Sequence, residues 1–136
     1  MNRLFSFLLL VVALSIVPAA SAQIAVIVHP SVSASSVSDS EARNLFTLET
    51  ARLGGERVTP VVLENGVDGF YSWIGRSFSD LRKVWLRKKL SGEGNPPETL
   101  SSAAAVIAHV SRTPGAIGFV PASAANASVK VIARIN

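Results

Sequence analysis

Five serines, Ser31, Ser33, Ser35, Ser36 and Ser38, crowd the stretch before a helix start at Ser38-Asp39-Ser40-Glu41. Free backbone N–H groups at such a start can hold an oxyanion, and hydroxyls from Ser35, Ser36 and Ser38 would add donors. The competing reading is a solvated loop before a capped helix, because Ser38 with Glu41 has the spacing of a capping box. Asn65-Gly66 could offer backbone donors in a turn, or be only a turn. Arg76, at a break between two helical patterns, could grip an anion with its planar fork, or sit in water like most surface arginines. Arg82-Lys83 and Arg87-Lys88-Lys89 form a cluster that fits an acidic partner, lipid headgroups or plain solvent.

Other chemistries find no residues in the right pattern. There is no cysteine, so no disulfide framework and no thiolate metal site. His29 and His109 lack ligand spacing, and neither lies beside a serine with an acid partner. No phosphate-cradling loop of the GxxxxGK[ST] kind is present, nor a carboxylate pair suited to glycoside cleavage. The expectation is therefore no catalytic residues, no metal and no cofactor. The net charge of +4 is modestly basic and argues against nucleic acid as a partner.

These residues need a scaffold, and the chain supplies one domain after a targeting segment. Asn2-Arg3 is a short basic start, Leu4 to Val17 is apolar but short for a membrane span, and Ala20-Ser21-Ala22 is a small-x-small cleavage site. Residues 1–22 thus read as a signal peptide, leaving residues 23–136 as one folded, exported domain. Without cysteine, packing alone must hold it, which suits a periplasm better than a fully secreted setting without separating the two.

Ile24 to Val28 reads as a strand buried on both faces, as in a parallel sheet. A capped helix follows from Ser38. Residues 50–57, with Gly54-Gly55, read as a turn, and Val58 to Leu63 as a strand whose Pro60 requires an edge or an irregularity. Phe70 to Ile74 gives one or two helical turns. From Ser77 a longer helix places Phe78, Leu81 and Trp85 on one stripe, which is expected to cover the sheet. Thr99 to Thr113 reads as a third helix capped by Ser101 or Ser102, stopped by Pro114-Gly115. Ala116 to Val120 and Val129 to Ile135 are the last strands. The order is that of an α/β domain with a mixed sheet.

Several of these stretches resemble a known family. Ile24 to Pro30 with the serine-rich loop and Ser38-x-x-Glu41-x-x-x-Leu45-Phe46 is similar to its opening. Phe70-Tyr71, the Trp85 helix and Ser91-Gly92-Glu93-Gly94-Asn95-Pro96-Pro97 follow in the same order, and Pro114-Gly115-Ala116-Ile117-Gly118-Phe119-Val120 resembles its Pro-Gly-Ala-Ile-Gly-Tyr-Val signature. The family is the substrate-binding component of phosphate ABC transporters, including its small members, and the likeness spans Ile24 to Val120. It implies a single periplasmic-binding-protein-like lobe with a mixed, mostly parallel sheet flanked by helices. It also implies phosphate or another small oxyanion as ligand and an ABC permease or envelope sensor as partner. A lone lobe exposes half a cleft, so a second copy of the chain, as a homodimer, or a partner would have to complete the site.

The sequence departs from the family where ligand is held. Small members carry a Gly-Lys pair and a tryptophan after the first helix, where this chain has Thr47 to Leu53. Full phosphate binders carry an arginine and a Ser-Gly-Thr turn after the second strand. Here Leu63-Glu64-Asn65-Gly66-Val67-Asp68-Gly69 stands there, and Glu64 and Asp68 repel an anion at close range. Two readings follow: a single-lobe binding protein for a small oxyanion at Ser35, Ser36, Ser38, Asn65, Gly66 and Arg76, or an interaction module that keeps the fold without the ligand.

Overall fold

The computed structural model describes residues 23–65 and 67–136, so the signal-peptide reading of residues 1–22 and the placement of Gly66 lie outside it. The elements are β1 (Ile24–Val28), α1 (Asp39–Phe46), β2 (Arg52–Leu53), β3 (Glu56–Arg57), β4 (Thr59–Leu63), α2 (Asp68–Ile74), α3 (Phe78–Leu90), β5 (Glu98–Leu100), α4 (Ala103–Arg112), β6 (Ala116–Pro121) and β7 (Lys130–Ile135), with a short 3-10 turn at Ala122–Ala124.

Five strands form one sheet in the order β5-β4-β6-β1-β7, and β2 with β3 makes a separate hairpin. β4 pairs in parallel with β5 and β6, while β1 is antiparallel to both β6 and β7. Four strands therefore point one way and β1 runs against them. β1 is buried along its whole length, as its apolar run predicts, but its pairing is antiparallel rather than parallel. Burial on two faces reports that both faces are covered and says nothing of direction.

β6 explains how both faces are covered. Successive side chains on a strand point to opposite sides, so Gly118 and Phe119 face different layers. A Cβ at Gly118 would meet Val106 Cγ1 at 3.0 Å and Val61 Cγ2 at 3.1 Å, so only glycine lets α4 lie this close. On the other side Phe119 stacks on Phe70 of α2 at 3.7 Å between ring centroids and meets Phe46 of α1 edge-on at 5.4 Å.

α3 forms a further layer on those helices. Leu81 and Trp85 are buried, but Phe78 meets Tyr71 of α2 at 5.8 Å and Trp85 Nε1 donates to the Phe46 carbonyl at 2.7 Å. The rings against Phe119 belong to α1 and α2, so α3 covers helices where the sequence suggested it would cover the sheet. A helical stripe reports that a face is buried, and not against what.

Pro60 sits at an irregularity, as required. β4 pairs with β6 through Thr59 and Pro60, and with β5 only from Val61 onward. The Thr59 N–H donates to Gly115 O at 2.9 Å, so the Pro60 nitrogen turns to the other side, ahead of where β5 begins. In the region where the resemblance would place Gly-Lys, Leu48 takes a φ of 64°, a left-handed value that costs a side chain about 1–2 kcal/mol. Lys88 Nζ bonds the Leu48 carbonyl at 3.2 Å and helps to hold that turn.

Candidate functional site

The serine loop is built into the fold as a brace. Val32 and Val37 are buried and pin it to the core. The Ser33 hydroxyl and N–H both donate to the Glu56 carboxylate on β3, and Lys130 Nζ donates to the Val32 carbonyl at 3.0 Å. The Ser33 hydroxyl, then the Ser33 N–H, hold the Glu56 carboxyl below its ordinary value; desolvation opposes them, and the Lys130 charge adds the weakest lowering effect. Val37 N–H then reaches Ile132 O at 3.3 Å, so residues 33–37 return along the outer side of β7.

The start of α1 is closed by its own residues. Ser38 Oγ accepts from Glu41 N–H at 3.1 Å, and Glu41 Oε1 accepts from Ser38 N–H at 3.1 Å, a complete capping box. Asp39 and Glu41 place negative charge in the first turn, where an incoming anion would want positive potential. Ser35 and Ser36 lie exposed beside this end.

The start of α2 is different. Val67 in the N-cap position makes no side-chain cap, and Asn65 is exposed. The turn is fixed instead by Tyr71, whose buried hydroxyl donates to Leu63 O at 2.8 Å. Burial, then the charges of Glu64 and Asp68, push the Tyr71 phenol above its usual range. Arg76 stands at the α2–α3 junction after Gly75, which has a φ of 71°. It shares a shallow hollow of about 370 Å³ with Glu64, Asp68 and Tyr71. One cation thus faces two carboxylates.

Asn65 and Arg76 therefore lie at one end of the molecule, beyond the C-terminal end of β4. Ser35, Ser36 and Ser38 lie beside β7, three strand positions away, which is about 14 Å across the sheet. The structure does not bring the two sets together. A cleft of about 650 Å³ between α1 and α3 also borders Arg76, with Arg43, Arg87, Lys88, Glu49 and Glu93. There Lys88 is bound to Glu49 at 3.1 Å, and Arg43 Nε donates to Ile74 O at 2.6 Å. Among the described residues no group of three or more histidines and carboxylates could hold a metal, and no helix is long and apolar enough to cross a membrane.

Arg82, Lys83 and Lys89 of the basic cluster line a groove of about 640 Å³ between α3 and the segment leading into β5, beside two leucines that the sequence reading did not single out. Leu86 beside it is 57% exposed and Leu90 one turn on is 78% exposed. The signal was available in their spacing. Leu86 and Leu90 are four apart, and both fall well off the Leu81–Trp85 stripe on a helical wheel.

No family model matches the chain, and no curated protein matches it. Solved structures do. A protein from Clostridium perfringens, assigned as a phosphate ABC transporter substrate-binding protein and holding phosphate, is 19% identical at a TM-score of 0.65, over 82% of this chain and 45% of that one. An ABC-type phosphate transport receptor from Vibrio cholerae is 16% identical at 0.55, over 82% and 46%. PstS from Borrelia burgdorferi is 17% identical at 0.55, over 82% and 47%. The chain spans somewhat less than half the length of these proteins. The likeness establishes the fold: the mixed α/β architecture expected, shared with somewhat less than half of each of these proteins.

Proposed function

We propose that the protein is a non-enzymatic binding lobe of the phosphate-transporter kind, acting in the periplasm. Its ligand is phosphate or another small oxyanion, held only where a second lobe faces this one. The observation that carries this reading is the fold likeness to half of several phosphate receptors, one of them with phosphate bound. The second lobe is required on physical grounds. The turn at Asn65 is exposed, and within the hollow beside it the cation Arg76 is outnumbered by Glu64 and Asp68. An anion there would keep much of its hydration and gain little. A second copy of this chain or a partner protein supplies the opposing donors, and an ABC permease or envelope sensor receives the loaded complex.

Titration calorimetry with phosphate at low and high protein concentration tests this, with association state measured by ultracentrifugation. Phosphate heat is expected only where pairs form. Tight binding by the monomer would overturn the requirement for a second lobe. Silence at millimolar phosphate in both states would remove the oxyanion and leave the second reading, an interaction module on the same fold. That reading is favoured by the acids that flank the turn. Export is checked separately: the mature protein is expected to begin at Gln23.

A further inference from the structure

We infer that the exposed face of α3 docks the protein on an anionic lipid surface, through Leu86 and Leu90 set among Arg82, Lys83 and Lys89. This goes beyond the oxyanion reading and does not depend on it.

Charge distribution is the first observation. α3 carries Arg82, Lys83, Arg87, Lys88 and Lys89 against Asp80 alone, so this helix is worth +4. The whole chain is also +4, which leaves eight cations and eight acids elsewhere in balance. The net charge of the protein therefore resides on one helix of 13 residues. A body charged this way turns that helix toward an extended negative plane.

Shape is the second observation. Among the described residues, Leu86 and Leu90 are the two large apolar side chains left exposed. They stand four residues apart on one side of the helix, and Leu90 lies outside the groove lining, so its tip protrudes. Arg82 is held in place over the Phe78 ring, 5.8 Å from its centroid. Lys88 is turned away, bound to Leu48 O and Glu49. The side chains that share the groove with Leu86 are thus Arg82, Lys83 and Lys89, with Glu64 as the acid present, over apolar walls that include Trp85 and Pro97.

These features select lipid over an acidic protein. Two protruding leucines need a deformable apolar partner, whereas a folded acidic surface would need a matching recess. A helix lying flat, about 20 Å long, can sink both leucines among acyl chains while the three cations stay at the phosphates. The apolar-walled groove alongside can take part of one lipid molecule.

Co-sedimentation with vesicles tests the proposal, using the soluble protein recovered from expressing cells. Vesicles one-third phosphatidylglycerol are compared with pure phosphatidylcholine, at low and high salt. The protein is expected to sediment with the anionic vesicles at low salt, and binding to neutral vesicles or at high salt is expected to be weaker by about ten-fold or more. R82E/K83E and L86S/L90S are each expected to weaken binding by about ten-fold. R52E/R57E, the same charge change on the β2–β3 hairpin, is expected to retain most of it. Circular dichroism confirms that each variant is folded. No binding to anionic vesicles overturns the proposal. So does full binding by L86S/L90S, or a loss in R52E/R57E as large as in R82E/K83E. Leucine-dependent binding of a glutamate-rich amphipathic peptide in place of vesicles would make the occupant a protein, and also overturns it.

Discussion

The starts of α1 and α2 are held by opposite means. At α1 the chain satisfies itself: Ser38 and Glu41 exchange hydrogen bonds, and Ser33 is anchored on Glu56. At α2 no side chain caps the helix. That start is held by a ring stack, Phe70 on Phe119, and by the Tyr71 hydroxyl on Leu63 O. The contrast teaches where a ligand could enter. A helix start whose donors are partly consumed locally has fewer left to offer, while one fixed from the core side leaves its outer side open. The serine-rich stretch, the richer in hydroxyls, is the more closed of the two.

The largest test of this contrast is Phe70→Ala. If packing alone fixes α2, the variant loses about 3–5 kcal/mol of stability by chemical denaturation, and the loss reaches α1 through Phe46, which meets Phe70 edge-on at 5.0 Å. Ser38→Ala is the counterpart and is expected to cost about 1 kcal/mol through the lost cap. A cost near zero would mean that the capping box is not what closes α1. Glu64→Gln with Asp68→Asn changes charge at the open start and leaves the core alone. Stability is expected to stay within about 0.5 kcal/mol. Phosphate binding in the paired protein is expected to strengthen several-fold, and Arg76→Ala to weaken it. Insensitivity to both changes would remove the turn from the site.

The smallest effect concerns pH. Glu56 is held below its ordinary value of 4.5 by Ser33, so its folded state favours the carboxylate. That contribution is present above the unfolded pKa and is lost as pH falls through the lower folded one. Glu56→Gln is expected to flatten stability slightly over this acid range and to leave neutral pH curves unchanged in shape.

Much of the scaffold was legible because its signals are local. Ile24 to Val28 announces a buried strand, and Ser38, Ser77 and Ser102 each cap the helix they precede. Two short pieces escaped. β5 is only Glu98–Leu100, with no apolar run, and was absorbed into the start of the following helix. β2 and β3 are two residues each around Gly54-Gly55, and read as a bare turn. The direction of β1 and the neighbours of α3 were illegible for a different reason: apolar patterning fixes which face is buried, while partners are chosen by the whole chain. The grouping of the candidate site residues meets the same limit. Ser35, Ser36 and Ser38 look like companions of Asn65 and Arg76 in a list of donors, yet the strand order sets them at opposite sides of the sheet.

β1 has one further consequence, in time rather than space. Its two partners are β6 and β7, and the Gln23 amide meets Asn136 across a separation of 113 residues. Among the described residues β1 comes first along the chain, and it must wait for β6 and β7, far downstream, before it finds a strand partner. Contacts closed over so long a loop form slowly, so the middle of the sheet is completed only when distant parts of the chain meet.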